Sequence, residues 1–488
     1  MTQQLGAQDA QFLYLQSGQV LTHVMGVYVY DPSTAPGGKV RFKDIIRHIE
    51  GRSHTSPVFR RRLYRLPLDF DHPYWVEDPT FDLESHITHV RLPEPADWRQ
   101  FCIQVARHFS RPMDMNRPLW DVYVVEGLDR IHGVAPGSYA MLHRIHHAAI
   151  DGVSGAHVFA ALNDADAKGT PALEPKIMDR GIGGPPSAFT VATRAFAANV
   201  TSPMRMMNAV VRLSPALAGA LQRSLTDFQS WTKAGVPETR FNAPISPYKM
   251  FDATTFALKD LSAIRRLVEG ATINDVVLAI CSGALRKYLL THGDLPDDPL
   301  IAVAPINARH KSGEEEIPGN NITAMSVALA TDRADPIARL KAIRDFTAEA
   351  KEAKAGISAR VLTDLTQHIP GATMAGVARL LTSERFAPRQ ANLFISNVPG
   401  PQIPLYMNGA RLTHQFGLGP LANNMGLFIA AMSYNGAISF SVTSDRRIMP
   451  DIDFFRRCLD DAFKELMHAR PAHGERAART GKAKKSGR

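Results

Sequence analysis

The 488-residue chain has few of the features that mark secreted or membrane-spanning proteins. Its three cysteines, Cys102, Cys281 and Cys458, lie far apart and match no disulfide or metal-ligand spacing, which suits a reducing compartment. The N-terminus shows no cationic segment followed by an apolar core, so no secretory signal is expected. No stretch approaches the roughly 18 apolar residues of a spanning helix. These absences predict a cytoplasmic chain without a transmembrane segment.

Two functional classes are disfavoured in the same way. The sequence has no Gly-x-Ser-x-Gly or reactive-cysteine signature, which argues against a covalent nucleophile. Aromatic residues are not interleaved with basic ones as they are in a nucleic-acid groove, so no nucleic-acid partner is expected.

What is present is an ordinary globular composition, with 45% hydrophobic and 21% charged residues over a length that suits two or three domains. The net charge of +9 is unevenly placed. Residues 474–488 hold six Lys or Arg against one acid, a balance of +5 that leaves +4 for the body. This tail is predicted to be disordered, and it either binds an anionic membrane or only keeps the chain soluble.

The most informative stretch runs from His146 to Gly152, with the sequence His-His-Ala-Ala-Ile-Asp-Gly. Residues 139–145 alternate with a period of two, which predicts a strand, and a helix is expected just beyond Gly152. Both histidines therefore fall on a strand-to-helix turn, where a neutral imidazole can accept a proton from a substrate hydroxyl. The alternative is that the two histidines are surface polar residues or metal ligands.

The chain divides into four predicted parts. Residues 1–165 form a mixed α/β domain that carries the histidine motif, and residues 166–240 form a linker with amphipathic helices between about 189 and 231. Residues 241–470 form a second strand-rich half, and 471–488 are the basic tail. This order predicts two related α/β lobes with a cleft between them.

A second candidate site lies at the start of a helix in the second half. Thr272 and Asp275 have the spacing of a capping box, and Asn274 falls in the first helical turn. Unpaired backbone N–H groups favour negative charge there, so the Asn274 amide could stabilise an oxyanion. The alternative is that Asn274 and Asp275 only cap the helix.

The whole His-His-x-x-x-Asp-Gly motif resembles the active-site signature of the CoA-dependent acyltransferase superfamily, which includes chloramphenicol acetyltransferase and peptide-synthetase condensation domains. The resemblance implies two chloramphenicol-acetyltransferase-like lobes with mixed sheets and an active-site cleft or tunnel at their interface. It also implies that His147 is the catalytic base and that Asp151 holds the turn, with His146 as a further catalytic residue and Gly152 as a substrate-binding residue.

Further stretches resemble one branch of that superfamily, the bacterial wax ester synthase / acyl-CoA:diacylglycerol acyltransferases. They stand in the order of that branch between about residues 5 and 465, and they are Phe81-Asp82-Leu83 with His86, Arg117-Pro118-Leu119-Trp120, Thr272 to Ala279, and Ser396 to Pro401. The resemblance implies that Asn274 contacts the tetrahedral intermediate. It also implies that a set of further residues shapes the substrate cleft, namely Pro118, Leu119, Trp120, Asp275, Ser396 and Asn397.

Two segments depart from the pattern of the branch. Residues 305–309 read Pro-Ile-Asn-Ala-Arg where Pro-x-Ser-x-Arg is common, and residues 242–246 read Asn-Ala-Pro-Ile-Ser where Asn-Gly-Pro-Ile-Ser is usual. Both departures bear on the preferred acceptor rather than on the fold.

The resemblance implies an enzyme that moves a long-chain acyl group from acyl-CoA to diacylglycerol or a fatty alcohol, without a metal or a further cofactor. It also implies a monomer or homodimer that works on the inner face of the plasma membrane or on lipid inclusions. Two rivals remain: an acyltransferase of the same fold with another acceptor or a carrier-bound donor, and a non-catalytic lipid-binding or lipid-droplet protein.

Overall fold

A computed structural model describes residues 3–66, 71–150, 162–169, 187, 193, 235–307, 322–354, 371–383 and 389–469. The strands are β1 (Gln3–Gln4), β2 (His23–Asp31), β3 (Arg61–Tyr64), β4 (Tyr74–Glu77), β5 (Ile87–Arg91), β6 (Trp120–Glu126), β7 (Tyr139–His146), β8 (Lys249–Ala257), β9 (Ile301–Asn307), β10 (Ile322–Ala328), β11 (Leu393–Pro399), β12 (Tyr406–Met407), β13 (Ala410–Leu418), β14 (Leu427–Tyr434) and β15 (Ala437–Asp445). The α-helices are α1 (Ala7–Leu15), α2 (Phe42–Arg52), α3 (Trp98–Phe109), α4 (Leu258–Arg265), α5 (Ile273–Thr291), α6 (Pro336–Lys354), α7 (Gly371–Thr382) and α8 (Ile452–His468).

Two six-stranded mixed sheets organise these elements. The first has the order β12-β13-β2-β7-β6-β5, and the second has the order β10-β9-β11-β14-β15-β8. Parallel pairs such as β5 with β6 and β11 with β14 stand beside antiparallel ones. The predicted fold class, two α/β lobes with mixed sheets, is confirmed.

The two lobes are not separated where the sequence suggested. Strand β13 pairs with β2 from Arg411 opposite Asp31 to Leu418 opposite Met25, with a bulge between Leu412 and His414. Residues 406–418 therefore complete the first sheet, and the prediction that all of 241–470 belongs to the second lobe is wrong for these strands. These strands join the first sheet although they are distant from it in sequence. Without β13, one edge of β2 would lack backbone hydrogen-bond partners.

Apolar side chains cover both faces of the first sheet. One face packs on α1 and α2 through residues such as Leu13, Ile45 and Ile49. The other face packs on α3 through Phe101 and Val105. The first sheet is thus buried on both sides, which explains why β2 carries apolar residues on both of its faces.

The second lobe has its own core, in which α5 lies almost completely buried between its sheet and neighbouring helices. The predicted capping box at Thr272 and Asp275 is present. The preceding helix, α4, ends at Arg265. From Arg266 onward the backbone N–H groups bond carbonyls three residues back, so the chain continues as turns up to Gly270, whose φ is +78°.

The structure also addresses the predicted absences. Cys102, Cys281 and Cys458 are buried and unbridged. Within the described ranges, no helix combines the length and the apolar composition needed to cross a membrane. The predicted helices between 189 and 231, and the basic tail, lie outside the described residues.

Candidate active site

The two motif histidines lie where β7 ends. His146 is the last residue of the strand, and a single 3₁₀ turn, His147–Ala149, follows it. The predicted strand is confirmed, and the turn begins at the second histidine. The central position of β7, between β2 and β6, fixes the backbone that leads into the motif from both sides.

His146 is completely buried, and both of its ring nitrogens are hydrogen-bonded inside the protein. Nδ1 accepts a hydrogen bond of 3.1 Å from the backbone N–H of Ala148. Burial lowers the pKa of His146 to about 3, so the ring is neutral and Nε2 carries its proton. This Nε2 lies 3.0 Å from the Thr22 hydroxyl and 3.0 Å from Gln16 Oε1. These bonds give His146 a positioning role instead of the predicted catalytic one.

Thr22 holds both histidines at once. Its hydroxyl donates to the carbonyl of Phe12 at 2.7 Å, which leaves its oxygen free to accept from His146. Its own carbonyl accepts the backbone N–H of His147 at 3.0 Å. Thr22 therefore ties the histidine turn to α1.

The His147 ring is half-buried and lies flat against Phe12, with ring centroids 3.9 Å apart and an interplanar angle of 13°. Burial lowers the pKa of His147 to about 4. The imidazole is consequently neutral at pH 7 and can accept a proton, which is the state a general base requires.

The predicted Pro118-Leu119-Trp120 segment forms the wall beside the motif. The Leu119 carbonyl accepts the backbone N–H of His146 at 3.0 Å. Trp120 is buried, stacks on His86 with centroids 4.7 Å apart, and donates its indole N–H to the Phe59 carbonyl at 3.0 Å. Two motifs that are separated in sequence, around His86 and around Trp120, are therefore one packed unit.

The second candidate site belongs to the other lobe. Asn274, in the first turn of α5, accepts a hydrogen bond of 3.1 Å from the Asn397 amide on β11. Because this bond occupies Asn274 Oδ1, and the Asn274 NH₂ group has no partner among the described residues, that group can donate to a ligand. Ser396 precedes Asn397 on β11 and lies opposite Ala430 of β14. The structure thus brings together Asn274 and Asn397, which were predicted as two separate site residues.

Asp275 was predicted to bind the substrate, but its side chain bonds within the fold. Its side chain is 1% exposed. Oδ2 accepts from the Thr272 N–H and hydroxyl, both at 2.7 Å, and Oδ1 accepts from the Thr347 hydroxyl at 2.7 Å. Both carboxylate oxygens are used within the fold, so Asp275 positions α5.

Asn242, beside the departure at Ala243, has a structural role. Its amide donates to the carbonyls of Ala391 and Asn424, at 3.0 and 2.8 Å, and its Oδ1 accepts from Asn392 at 2.8 Å. This buried amide joins three chain segments. Asp151, Gly152 and residues 308–309 lie outside the described residues, as do the side chains of 305–307.

Comparison with solved structures establishes the class of fold. The first condensation domain of the calcium-dependent antibiotic synthetase matches with a TM-score of 0.54 and 14% identity, over 96% of this chain and 97% of that one. The TRI3 trichothecene 15-O-acetyltransferase from Fusarium sporotrichioides matches with a TM-score of 0.59 and 10% identity, over 95% of each chain. At these identities the likeness concerns the fold alone, a two-lobed acyltransferase and condensation-domain architecture.

Sequence comparison narrows the class to one family. Residues 5–277 match the wax ester synthase/diacylglycerol acyltransferase catalytic domain, and residues 318–467 match the C-terminal domain of that family. A protein of Mycobacterium tuberculosis H37Rv named as a diacylglycerol O-acyltransferase is 33% identical over 468 residues, 95% of this chain and 90% of the relative. The chain belongs to the wax ester synthase/diacylglycerol acyltransferase family and is an acyltransferase.

A solved structure supports the same conclusion. The wax ester synthase/diacylglycerol acyltransferase from Marinobacter aquaeolei VT8 matches with a TM-score of 0.66 and 27% identity, over 95% of this chain and 98% of that chain. The resemblance noted from the motifs is therefore confirmed at the level of the family.

Three residues of the site, Phe12, Gln16 and Thr22, were not predicted from the sequence.

The Phe12 ring offers a direct test of what lowers the pKa of His147. Replacing Phe12 by Leu removes the flat ring that covers the His147 imidazole and lets water approach it. We expect the pKa of His147 to rise from about 4 toward its ordinary value of 6.5, because desolvation is the main cause of the shift. The measurement is an NMR titration of labelled histidine, with the resonance assigned through His147→Asn. The His146 pKa should remain low, and an unchanged His147 titration would show that Phe12 does not control its hydration.

Proposed function

We propose that this enzyme transfers a long-chain acyl group from acyl-CoA to the hydroxyl of a lipid, either diacylglycerol or a fatty alcohol. The observation that carries the proposal is the neutral His147 imidazole, presented at the end of β7 by the Phe12 ring and the Thr22 carbonyl. Family membership supports the reaction class. The relatives named for diacylglycerol and wax ester synthesis support the two acceptors.

In the proposed reaction His147 takes the proton of the acceptor hydroxyl while its oxygen attacks the thioester carbonyl. The tetrahedral oxyanion then collapses, the carbon–sulfur bond breaks, and the proton passes from His147 to the sulfur of CoA. The products are an ester and free CoA, so atoms and charges balance without any further reagent. Asp151 is the proposed partner that holds the turn in place.

Asn274 is the proposed donor to the oxyanion. Asn397 occupies its Oδ1 at 3.1 Å and so orients the amide with its NH₂ group available. A neutral amide donor stabilises the developing negative charge without competing for the proton that His147 must carry.

We test the function with purified protein, radiolabelled palmitoyl-CoA and a panel of diacylglycerol, hexadecanol and small amines. The expected product is labelled triacylglycerol, wax ester or both. His147→Asn should lower the rate by about 100- to 10,000-fold, the usual contribution of a general base. His132→Asn, in an exposed loop, is the matched control.

A folded His147→Asn enzyme that turns over at nearly the wild-type rate would remove the base assignment. Labelled product with amines but not with lipid hydroxyls would move the enzyme to another acceptor class. Lipid binding without any labelled product would favour the non-catalytic lipid-binding alternative.

The role of Asn274 is separable from helix capping. Asn274→Ala should lower the rate of the chemical step by roughly 100- to 1,000-fold, the range for loss of one oxyanion donor. Thr272→Ala is the matched control, because it removes the observed cap and should cost about 1 kcal/mol of stability with little change in that rate. Single-turnover kinetics and thermal unfolding are measured on both variants. Equal single-turnover rates for Asn274→Ala and wild type would assign Asn274 to the fold.

We also propose that the enzyme works at a membrane or lipid-inclusion surface, because the proposed acceptors are insoluble in water. The basic tail, 474–488, is one candidate attachment, since each Lys or Arg near an anionic leaflet contributes about 1 kcal/mol. Deleting 474–488 should reduce binding to anionic liposomes at low salt and leave activity on detergent-dispersed substrate intact. If both proteins bind equally in liposome sedimentation, attachment depends on another segment, such as the predicted helices between 189 and 231.

A further inference from the structure

Residues 398–405 form an apolar segment that runs from the end of β11 to β12. Among the residues that the structure describes, five large apolar side chains are exposed, and three of them are scattered along the chain. The other two belong to this segment, where Val398 is 43% exposed and Ile403 is 54% exposed. Pro399 and Pro401 are exposed as well. Single exposed apolar residues are ordinary, but several on one short segment indicate a contact surface.

The backbone of the apolar segment has few free hydrogen-bond donors. Three of its eight residues are prolines, which have no N–H. The N–H of Gly400 donates to Ser433 Oγ at 3.2 Å, and the N–H of Leu405 donates to the Tyr434 hydroxyl at 2.8 Å. Moving unpaired backbone groups from water into an apolar phase is unfavourable. Prolines and paired N–H groups therefore lower the free-energy penalty for moving this segment into such a phase.

Gln402 is the one polar side chain in the sequence of the segment, and its amide bonds within the protein. Its Oε1 accepts the N–H of Gly436 at 3.0 Å, and its Nε2 donates to the Gly400 carbonyl at 3.0 Å. These bonds attach the segment to the turn between β14 and β15. The segment is thus held in place with its polar side chain engaged and apolar side chains exposed.

The apolar segment begins directly after a residue of the candidate site. Asn397 donates its amide to Asn274 Oδ1 at 3.1 Å, and Val398 is the next residue of β11. Six residues of chain span at most about 22 Å, so Ile403 lies within that distance of Asn397. The proposed acceptors are insoluble in water and are held in a lipid layer. A layer that covered this segment would lie close to the proposed oxyanion donor.

We infer that residues 398–405 are a surface through which the enzyme contacts a lipid layer, with the side chains of Val398 and Ile403 entering its acyl region. The inference rests on the proposed transfer of acyl groups to lipid hydroxyls, and it adds where the enzyme meets the lipid phase. A protein that recognised the segment through its main chain would need backbone donors, which the segment largely lacks. The contact is apolar, so salt should not weaken it as it weakens attachment by 474–488.

The first experiment tests insertion directly with full-length protein. Ile403→Trp and Leu290→Trp each place an indole at a position of matched exposure, 54% and 53%. Leu290 is the control, because it lies about 24 Å along α5 from Asn274. Both variants are mixed in high salt with phosphatidylcholine vesicles whose acyl chains carry bromine, and wild type corrects for the native tryptophans. We expect the vesicles to quench the emission of Ile403→Trp and to leave that of Leu290→Trp unchanged.

The second experiment measures binding and activity. Ile403→Asp removes an apolar side chain from the contact and adds a charge, so binding to phosphatidylcholine vesicles in high salt should weaken by roughly tenfold or more. The ratio of activity on vesicle-borne to detergent-dispersed diacylglycerol should fall in parallel. Leu290→Asp should keep wild-type binding and the wild-type ratio. Both variants should keep a Tm near that of wild type, because both positions are exposed.

The outcomes separate this inference from the function on which it rests. Equal quenching of both tryptophan variants, or vesicle binding by Ile403→Asp equal to that of wild type, would overturn the lipid contact. Self-association that Ile403→Asp abolishes, without vesicle binding by wild type, would overturn it in favour of a contact between copies of the chain. Selective quenching of Ile403→Trp without turnover of any donor and acceptor would keep the lipid contact and contradict the proposed function.

Discussion

The site depends on a buried set of hydrogen bonds centred on Thr22. One oxygen of this residue holds the His147 backbone, and the other meets the His146 ring. His146 in turn accepts the N–H of Ala148, so the first two backbone N–H groups of the turn after β7 are both held. Loss of one member would leave a buried polar partner without its bond, which costs about 1–3 kcal/mol. These bonds make α1 part of the candidate active site.

Burial shapes the chemistry as strongly as geometry does. His143, His146 and His147 all lie on or next to β7, and burial lowers the pKa of each to between about 3 and 4. A positive charge on His147 is thus unfavourable unless a negative charge forms beside it. The proposed tetrahedral oxyanion is such a charge, so proton transfer and nucleophilic attack stabilise each other. The same dry surroundings suit lipid substrates and disfavour water as a competing acceptor.

The sequence predicted the elements whose signals are local. The alternation in residues 139–145 and the capping box at Thr272 each predicted the observed element. The family resemblance added Asn274 and Asn397 as separate site residues. Their hydrogen bond, across more than 100 residues of sequence, was not predicted.

Other features had no local signal. Thr22 and Gln16 meet His146 across more than 120 residues, and nothing in their own sequence neighbourhoods marks them as site residues. The transfer of residues 406–418 to the first sheet was missed for a similar reason. A strand pattern shows that a segment will pair but does not show with which strand.

That transfer has a consequence for how the chain is made. Strand β2 is complete early in synthesis, but its partner β13 follows only after nearly 400 further residues have emerged from the ribosome. Until then β2 has one edge unpaired, and an open edge is a template for association with other chains. The first lobe therefore cannot mature independently as the chain emerges. Its last strand arrives with the second lobe, so the nascent protein must protect an incomplete sheet through most of translation.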